Sequence, residues 1–207
     1  MSVPEPQGLT WLPIVFAAVA AGIVLVVARV VQDRRLRGLA PSFEAGTFAV
    51  TGFLTRWATG RVEGFECRYR VVDRNRNDPG GARLGVAARV PFHWQATRSS
   101  AASRAMVRIG VLHDVEIGEP QLDEALRFTA PDGVALKAAL ADLAAREALA
   151  RLAATANFMA VSCDARGAVV RWRPRARGVD ERPEVVAERI AAGLGLARAL
   201  GWSPTFG

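Results

Sequence analysis

The apolar and polar positions divide the chain into one long apolar stretch and a longer remainder of mixed periodicity. The apolar stretch covers residues 9–31 and contains no charge before Arg29. Because an α-helix rises about 1.5 Å per residue, roughly 20 such residues cross the hydrocarbon core of a bilayer. The pattern therefore predicts a transmembrane helix over residues 9–31, preceded by a short extracytoplasmic tail over residues 1–8.

Aromatic and basic residues flank this stretch in the way they flank membrane spans. Trp11 is placed where an interfacial aromatic ring belongs, and Arg29 can extend its guanidinium to the headgroups. Arg34, Arg35 and Arg37 follow the span, whereas no basic residue precedes it. The positive-inside rule then predicts the N-terminus outside and the rest of the chain in the cytoplasm, with these arginines near anionic headgroups.

A cleaved signal peptide is the main alternative for this stretch. Residues 18–20, Ala-Val-Ala, resemble a cleavage site, but the first ten residues contain Glu5 and no basic residue. A signal peptide has a positively charged amino end, and here the apolar run also continues well past Ala20. The prediction is therefore an uncleaved helix, with the lipid bilayer as the first partner.

Composition indicates a bacterial origin and argues against a nucleic-acid binder. Lys137 is the only lysine, and the other basic residues are arginines, a bias typical of GC-rich bacterial genomes when alanine and glycine are abundant. The net charge of +7 is modest and lacks the clustered basic stripe of nucleic-acid-binding domains. We therefore predict the inner membrane of a bacterium as the location and do not expect nucleic acid as a partner.

Beyond a polar connector over residues 32–46, the periodicity becomes that of β-strands. In residues 65–71 the apolar positions alternate with Glu66, Arg68 and Arg70, which predicts a half-buried strand. Further strands are predicted over residues 47–54, 84–90, 105–111 and 126–129, with a continuation over 114–118 and turns at 57–60 and 73–83. Strands joined by short turns predict an antiparallel meander.

After residue 130 the apolar spacing becomes helical. Asp132 is placed to cap a helix in which Leu136, Leu140 and Leu143 share one face. Leu149 comes one residue too early for that face, which predicts a bend or break near residues 144–147.

A second hairpin and a closing helix complete the predicted domain. The hairpin is expected over residues 157–173, and the helix, opening near residues 180–183, buries Val186, Ile190, Leu194 and Ala197. The predicted fold class is α+β. A single N-terminal transmembrane helix precedes an antiparallel strand-rich domain over residues 47–207, with a middle helix, a second hairpin and a C-terminal helix.

Residues 115–123 resemble part of a recurrent bacterial membrane-anchored α+β domain. In that group a strand ends in Gly-Asp-x-x-Phe-Asp and is followed by a strand, a helix, a hairpin and a closing helix. Here the segment reads Gly118-Glu119-Pro120-Gln121-Leu122-Asp123, with Glu119 in place of Asp and Leu122 in place of Phe. The resemblance implies an α+β architecture and membrane association. It implies no catalytic residue, because the group has no established activity.

Two clusters of charged residues are candidates for a functional site. Glu119 and Asp123 are four residues apart and could hold a divalent cation or perturb each other's ionisation, although carboxylates beside Gly118 also commonly cap turns. Arginines recur at every second position, with Trp172 between the first two: Arg171, Arg173, Arg175 and Arg177. Such a row could bind an acidic protein or anionic lipid, or it could be the charged surface of an edge strand.

The remaining reactive side chains form no recognisable motif. Cys67 and Cys163 have no second cysteine or histidine at metal-ligand spacing, and His93 and His113 accompany no nucleophile motif. Glycine-rich phosphate-binding loops are also missing, so no cofactor is expected.

The function predicted from the sequence is therefore non-enzymatic. We expect a single-span membrane protein whose cytoplasmic domain is a protein-interaction or scaffold module, with a protein partner that the sequence does not identify. The alternatives are a metal-assisted hydrolase using Glu119 and Asp123, and an anionic-surface binder using residues 171–177.

Overall fold

The chain folds as one long N-terminal helix followed by an α+β domain, which confirms the predicted fold class. The computed structural model describes residues 12–51, 55–74, 76, 79–110, 112–176 and 178–204. The helices are α1 (Leu12–Arg37), α2 (Ala101–Arg108), α3 (Pro120–Ala125), α4 (Gly133–Ala139), α5 (Leu143–Ala154) and α6 (Pro183–Ala199). The strands are β1 (Ala45–Thr51), β2 (Thr55–Val62), β3 (Phe65–Val72), β4 (Gly81–Arg89), β5 (Trp94–Arg98), β6 (Leu126–Thr129), β7 (Phe158–Asp164), β8 (Gly167–Trp172) and β9 (Ser203–Pro204).

Helix α1 is long and apolar enough to cross a membrane. Its segment Pro13–Val31 has a mean hydropathy of 2.7, and none of that segment is buried against the rest of the chain. The four arginines of the predicted anchor all belong to the last third of α1: Arg29, Arg34, Arg35 and Arg37. Trp11 and the predicted tail lie outside the described residues.

The connector predicted over residues 32–46 is built into the domain. Helix α1 continues to Arg37, a single 3-10 turn covers Ala40–Ser42, and β1 begins at Ala45. Leu39 and Phe43, which flank the 3-10 turn, are only 1% and 8% exposed and belong to the main core. The apolar helix is therefore joined to the domain by a segment whose own side chains are anchored in the core.

One antiparallel sheet organises the domain. Among the described residues nine strands belong to it, in the order β1-β2-β3-β4-β8-β7-β5-β6, and β9 pairs with the end of β4. The first four strands form the predicted meander. The hairpin of β7 and β8, which is the second hairpin predicted from the sequence, is inserted between β4 and β5.

Three local predictions were wrong. Residues 57–60 lie inside β2, and the turn between β2 and β3 falls instead at Glu63 and Gly64, which both have positive φ. Residues 114–118 form no strand, although the Val115 N–H donates to the carbonyl of Phe128, a residue of β6. Residues 101–108 form a helix, α2, which overlaps the strand predicted over residues 105–111.

A reciprocal cap explains why α2 is a helix. The Ser100 hydroxyl accepts from the Ser103 N–H at 3.1 Å, and the Ser103 hydroxyl accepts from the Ser100 N–H at 2.8 Å. This capping box satisfies two donors that would otherwise be free and fixes where the helix begins. None of the α2 residues is buried, so the alternating apolar residues of this segment do not face the core as those of a half-buried strand would.

The helical segment after Asp132 breaks in two, slightly before the predicted position. The Asp132 carboxylate accepts from the N–H groups of the first turn of α4, and Asp142 caps α5 through the Ala144 N–H at 2.9 Å. Because α5 is a separate helix, Leu149 need not share the face of α4 on which Leu136 is buried. Both caps are local sequence signals.

Helices α5 and α6 pack on one face of the sheet. Val186, Ile190 and Leu194 of α6 are buried in the same core as Leu84 of β4, which confirms the predicted face of the last helix. Helix α6 approaches β4 closely at Gly193, where an added Cβ would lie 2.7 Å from the Leu84 side chain. On the opposite face of β3, β4 and β8 the alternate positions are exposed or half-buried.

A buried charge network joins α6 to the sheet. Arg189, which is 2% exposed, donates to the Tyr69 hydroxyl at 2.6 Å and to the Asp180 carboxylate at 2.8 Å. The Tyr69 hydroxyl in turn donates to the Asp180 carbonyl at 2.8 Å. The Arg189 guanidinium also stacks on Trp172, 4.8 Å from the ring centroid. Each charge is thus matched by partners, as burial of ionic groups requires.

A second buried arginine uses the same short segment. Arg56 of β2 donates to both oxygens of Asp73, each at 2.7 Å, and its Nε faces the Glu181 carboxylate. The hydrogen bonds to Asp73 raise the pKa of Arg56, so it stays charged despite its burial. Because Asp180 and Glu181 are adjacent, one 3-10 turn supplies carboxylates to two buried arginines.

Replacing Arg189 with Met should destabilise the protein strongly. The substitution leaves Asp180 buried without its cation, which we expect to cost about 3–5 kcal/mol. Urea unfolding of the full chain in detergent, followed by tryptophan fluorescence, measures the loss. The matched control is Arg182→Met at an exposed position, with an expected change within about 0.5 kcal/mol. Equal losses in the two variants would contradict the role of the network.

Candidate functional site

Three arginines lie side by side across the open face of the sheet. Arg70 of β3 is directly opposite Arg83 of β4, and Arg83 is directly opposite Arg171 of β8. Trp57 of β2 extends the same line, because it is opposite Arg70. We term these four residues the arginine row. Since neighbouring strands are about 4.8 Å apart, the row is about 14 Å long.

The arginine row brings positive charge to the open face of the sheet. Arg70 and Arg171 are exposed, and none of the acidic residues in the described part of the chain forms an ion pair with either of them. Arg68, two residues before Arg70, is also exposed on this face and adds to the positive potential.

A shallow depression of about 350 Å³ lies beside the arginine row. Its floor consists of small residues, Gly85, Ala87 and Gly167, so the backbone of β4 is accessible there. Gly85 is opposite Arg68 on one side and Val169 on the other, two register positions beyond the row. The depression and the row are therefore parts of one continuous surface.

The arginine row lies further along the strands than the start of β1, although α1 itself contacts β1 and β2. Strand β1 begins at Ala45, opposite Arg61, whereas Trp57 is opposite Ala49. At about 3.3 Å per residue, the row is about 13 Å further along the strands than the start of β1.

The described residues of the surface predicted along 171–177 lie in different surroundings. Arg171 and Arg173 are exposed, but Trp172 between them is 1% exposed and faces the core, where it stacks with Arg189. Arg175 is half-buried, and its backbone N–H donates to the Asp180 carboxylate at 3.1 Å. Arg177 lies outside the described residues.

The alternative interpretation of this segment as an edge strand was wrong. Strand β8 pairs with β4 on one side and with β7 on the other. Sequence reasoning found Arg171 but missed its cross-strand neighbours Arg70 and Arg83. The available signal was the alternation of charge in β3, which marks Arg70 as outward-facing but does not reveal what lies beside it.

The predicted acidic pair is used in local structure. The two oxygens of Asp123 accept from the N–H groups of Ile117 and Gly118 at 2.9 and 3.0 Å. Glu119 forms an ion pair with Arg146 at 3.3 Å. Within the described residues no group of three or more potential metal ligands is found. These contacts stabilise the turn that precedes α3.

The cysteines and histidines are not brought together. Cys67 and Cys163 are free and completely buried, and burial raises the pKa of the Cys67 thiol to about 12 and that of Cys163 well above its usual value. His93 and His113 are exposed. These thiols are therefore core side chains, because only a thiolate reacts readily as a nucleophile.

Comparisons of the chain with protein-family models, with curated proteins and with solved structures found no match. The arginine row and the depression are therefore the structural features from which a function can be inferred.

Tyr69 should ionise far above the usual pH for a phenol. It is the only tyrosine of the chain, and burial raises its pKa to about 12, although the charge of Arg189 opposes this. We expect ultraviolet titration of the native protein in detergent to show one transition near that value, compared with about 10 for the protein unfolded in urea.

The same shift predicts how stability depends on alkaline pH. Because the pKa is higher in the folded state, the contribution of neutral Tyr69 is complete below about pH 10 and is lost as the pH rises towards 12. A native transition near pH 10 would contradict the buried position of the phenol.

Proposed function

We propose that this chain is a single-span membrane protein whose α+β domain docks an acidic segment of a partner protein. The arginine row on the open sheet face carries the proposal. It places three arginines in register on neighbouring strands, and the exposed charges of Arg70 and Arg171 are complementary to an anionic partner.

The proposed location is the inner membrane of a bacterium, with the N-terminus outside and the domain in the cytoplasm. The segment Pro13–Val31 supports a span, and the arginines at the end of α1 support this orientation through the positive-inside rule. The buried thiols of Cys67 and Cys163, which remain unpaired, are compatible with a reducing compartment.

A protein fits the arginine row better than a lipid surface or a nucleic acid does. Helix α1 would by itself provide attachment to the bilayer, and the row lies about 13 Å along the strands from the start of β1. Arginine and tryptophan are the residue types enriched where proteins bind each other tightly. The depression, whose floor includes Gly85, is also a concave surface into which side chains of a partner protein can pack.

Membrane attachment is tested by fractionation of cells that express the full chain. We expect the protein to stay in the membrane pellet after an alkaline wash, because α1 exposes an unbroken apolar surface to lipid. A C-terminal tag should be digested by protease in inverted vesicles and protected in right-side-out vesicles. Release by the wash, the reverse protease pattern, or a mature chain that begins beyond residue 20 would contradict the proposed topology.

Docking is tested by a photo-crosslinking residue placed at Val169 in living cells. Val169 is 40% exposed and lies two register positions from the arginine row, on the same face. We expect a defined protein adduct that falls about tenfold when Arg70 and Arg171 are both changed to Glu, because charge reversal removes the electrostatic complementarity. Val134, which is 78% exposed on α4, is the control position for the crosslinker.

A second control separates the arginine row from general positive charge. Changing Arg104 and Arg108 on α2 to Glu alters the net charge equally and should leave the adduct unchanged. Absence of an adduct, persistence of the adduct in the Arg70→Glu, Arg171→Glu variant, or an adduct that consists of lipid or nucleic acid would each overturn the proposed function.

A further inference from the structure

We infer that the segment bound by the arginine row is an acidic α-helix that lies across the strands, in the depression beside the row. The inference rests on the proposed function and specifies the shape of the partner. Its first support is the direction in which the charges repeat. Arg70, Arg83 and Arg171 follow one another perpendicular to the strands.

The spacing of the arginine row matches the repeat of a helix. Neighbouring strands are about 4.8 Å apart, so the three arginines repeat at about that distance. Carboxylates at positions i, i+3 or i+4, and i+7 of a helix repeat about every 5.3 Å along its axis. Same-face residues of an extended chain repeat about every 6.7 Å. Over two intervals the helical repeat is about 1 Å longer than the spacing of the arginines, a difference that small changes in the arginine side chains can accommodate. The repeat of an extended chain is about 4 Å longer than that spacing.

The second support is the relief of the surface next to the arginine row. Gly85 follows Arg83 by two residues on the same face of β4, and Ala87 follows by four. The floor of the depression is therefore about 7–13 Å from the row along the strand. A helix with its side chains is about 10–12 Å wide, so one resting on this floor would hold one flank against the arginines.

The opposite side of the depression carries both signs of charge. Glu66, Asp164 and Arg166 line it, in contrast to the uniform charge of the arginine row. The partner helix should therefore be asymmetric, with one acidic stripe facing the row and small or apolar residues facing Gly85 and Val169. Such a helix is amphipathic in charge as well as in hydrophobicity.

Gly85 allows the shape to be tested without changing any charge. A Cβ added there would meet Arg68 atoms at 3.8 and 3.9 Å, which is ordinary contact, and its φ is not in the left-handed region. Gly85→Trp should therefore fill the depression while the sheet remains intact. Gly85→Ala is the matched control, because it adds one carbon and leaves the depression open.

The experiment measures the binding of two labelled peptides to the full chain in phosphatidylcholine nanodiscs by fluorescence anisotropy. Both peptides have the same amino-acid composition, with Glu at helical spacing in an alanine-rich sequence. In the first, the prolines precede the helix, and in the second, the same prolines interrupt it. We expect the helical peptide to bind about tenfold more tightly than the interrupted one, and to lose this advantage when Arg70 and Arg171 are both changed to Glu.

The depression variants complete the test. Gly85→Trp should weaken binding of the helical peptide about tenfold and leave the interrupted peptide unchanged, whereas Gly85→Ala, which adds one carbon, should weaken binding of the helical peptide less than about twofold. Ala87→Trp is a second blocking variant, and the tyrosine titration of each variant shows whether Tyr69 is still buried. A blocking variant that retains this titration and still binds the helical peptide fully would overturn the inference.

The outcomes separate the inference from the proposed function. Equal affinity for the two peptides, with loss of both in the charge-reversed variant, would overturn the helical partner and leave acidic docking in place. Binding of neither peptide, or binding that is insensitive to the charge reversal, would overturn both. Tighter binding to phosphatidylglycerol vesicles or to RNA than to the helical peptide would also overturn both, because the partner would then belong to another class.

Discussion

The buried pairing of Arg189 with Asp180 is the constraint that fixes the two layers of the domain relative to each other. An unpaired charge at this depth would cost several kcal/mol, so α6 can dock on the sheet only with the 3-10 turn of residues 179–181 in place. Tyr69 binds both partners, which adds β3 to the same arrangement. Glu181 also forms an ion pair with Arg56. A shift of the turn by one residue would therefore leave two buried arginines, rather than one, without their carboxylate partners.

This constraint also determines which face of the sheet is left open. Once α6 is held by Arg189 and by its close approach at Gly193, the core-facing side of β3, β4 and β8 is filled. The outward positions of these strands then meet solvent, as one face of an antiparallel sheet often does. The arginine row is therefore a consequence of register: three strands, each with an outward arginine, are aligned by a core that lies on the other side.

The fold could be predicted where the signal was local. The alternation of residues 65–71, the cap at Asp132 and the apolar face of α6 each depend on neighbours a few residues away, and each was predicted correctly. Residues 105–111 were predicted as a strand because their apolar positions alternate. The signal that determines the helix, the Ser100–Ser103 capping box, precedes them in the sequence. Propensity and periodicity compete in such short segments, and a good cap can decide the outcome.

The candidate site could be predicted only in part, because it depends on pairing between distant strands. Arg171 was recognised as part of a basic segment, but the insertion of the β7–β8 hairpin beside β4 is a matter of topology. Arg83 fell in the turn predicted over residues 73–83, whereas β4 begins at Gly81 and places Arg83 opposite Arg70 and Arg171. Trp172, which the prediction grouped with Arg171, faces the core, because successive side chains of a strand point to opposite faces.

The way the domain joins α1 bears on how strong the proposed docking has to be. Exposed charges are screened by salt, so a surface such as the arginine row gives fast and selective association more readily than very tight binding. Leu39 and Phe43 are buried in the core on either side of the 3-10 turn that precedes β1, which leaves little free chain between the membrane helix and the sheet. If α1 spans a membrane as proposed, a partner anchored in the same membrane has a high effective concentration near the domain. Moderate affinity is then sufficient, and the depression supplies the shape selectivity that charge alone lacks.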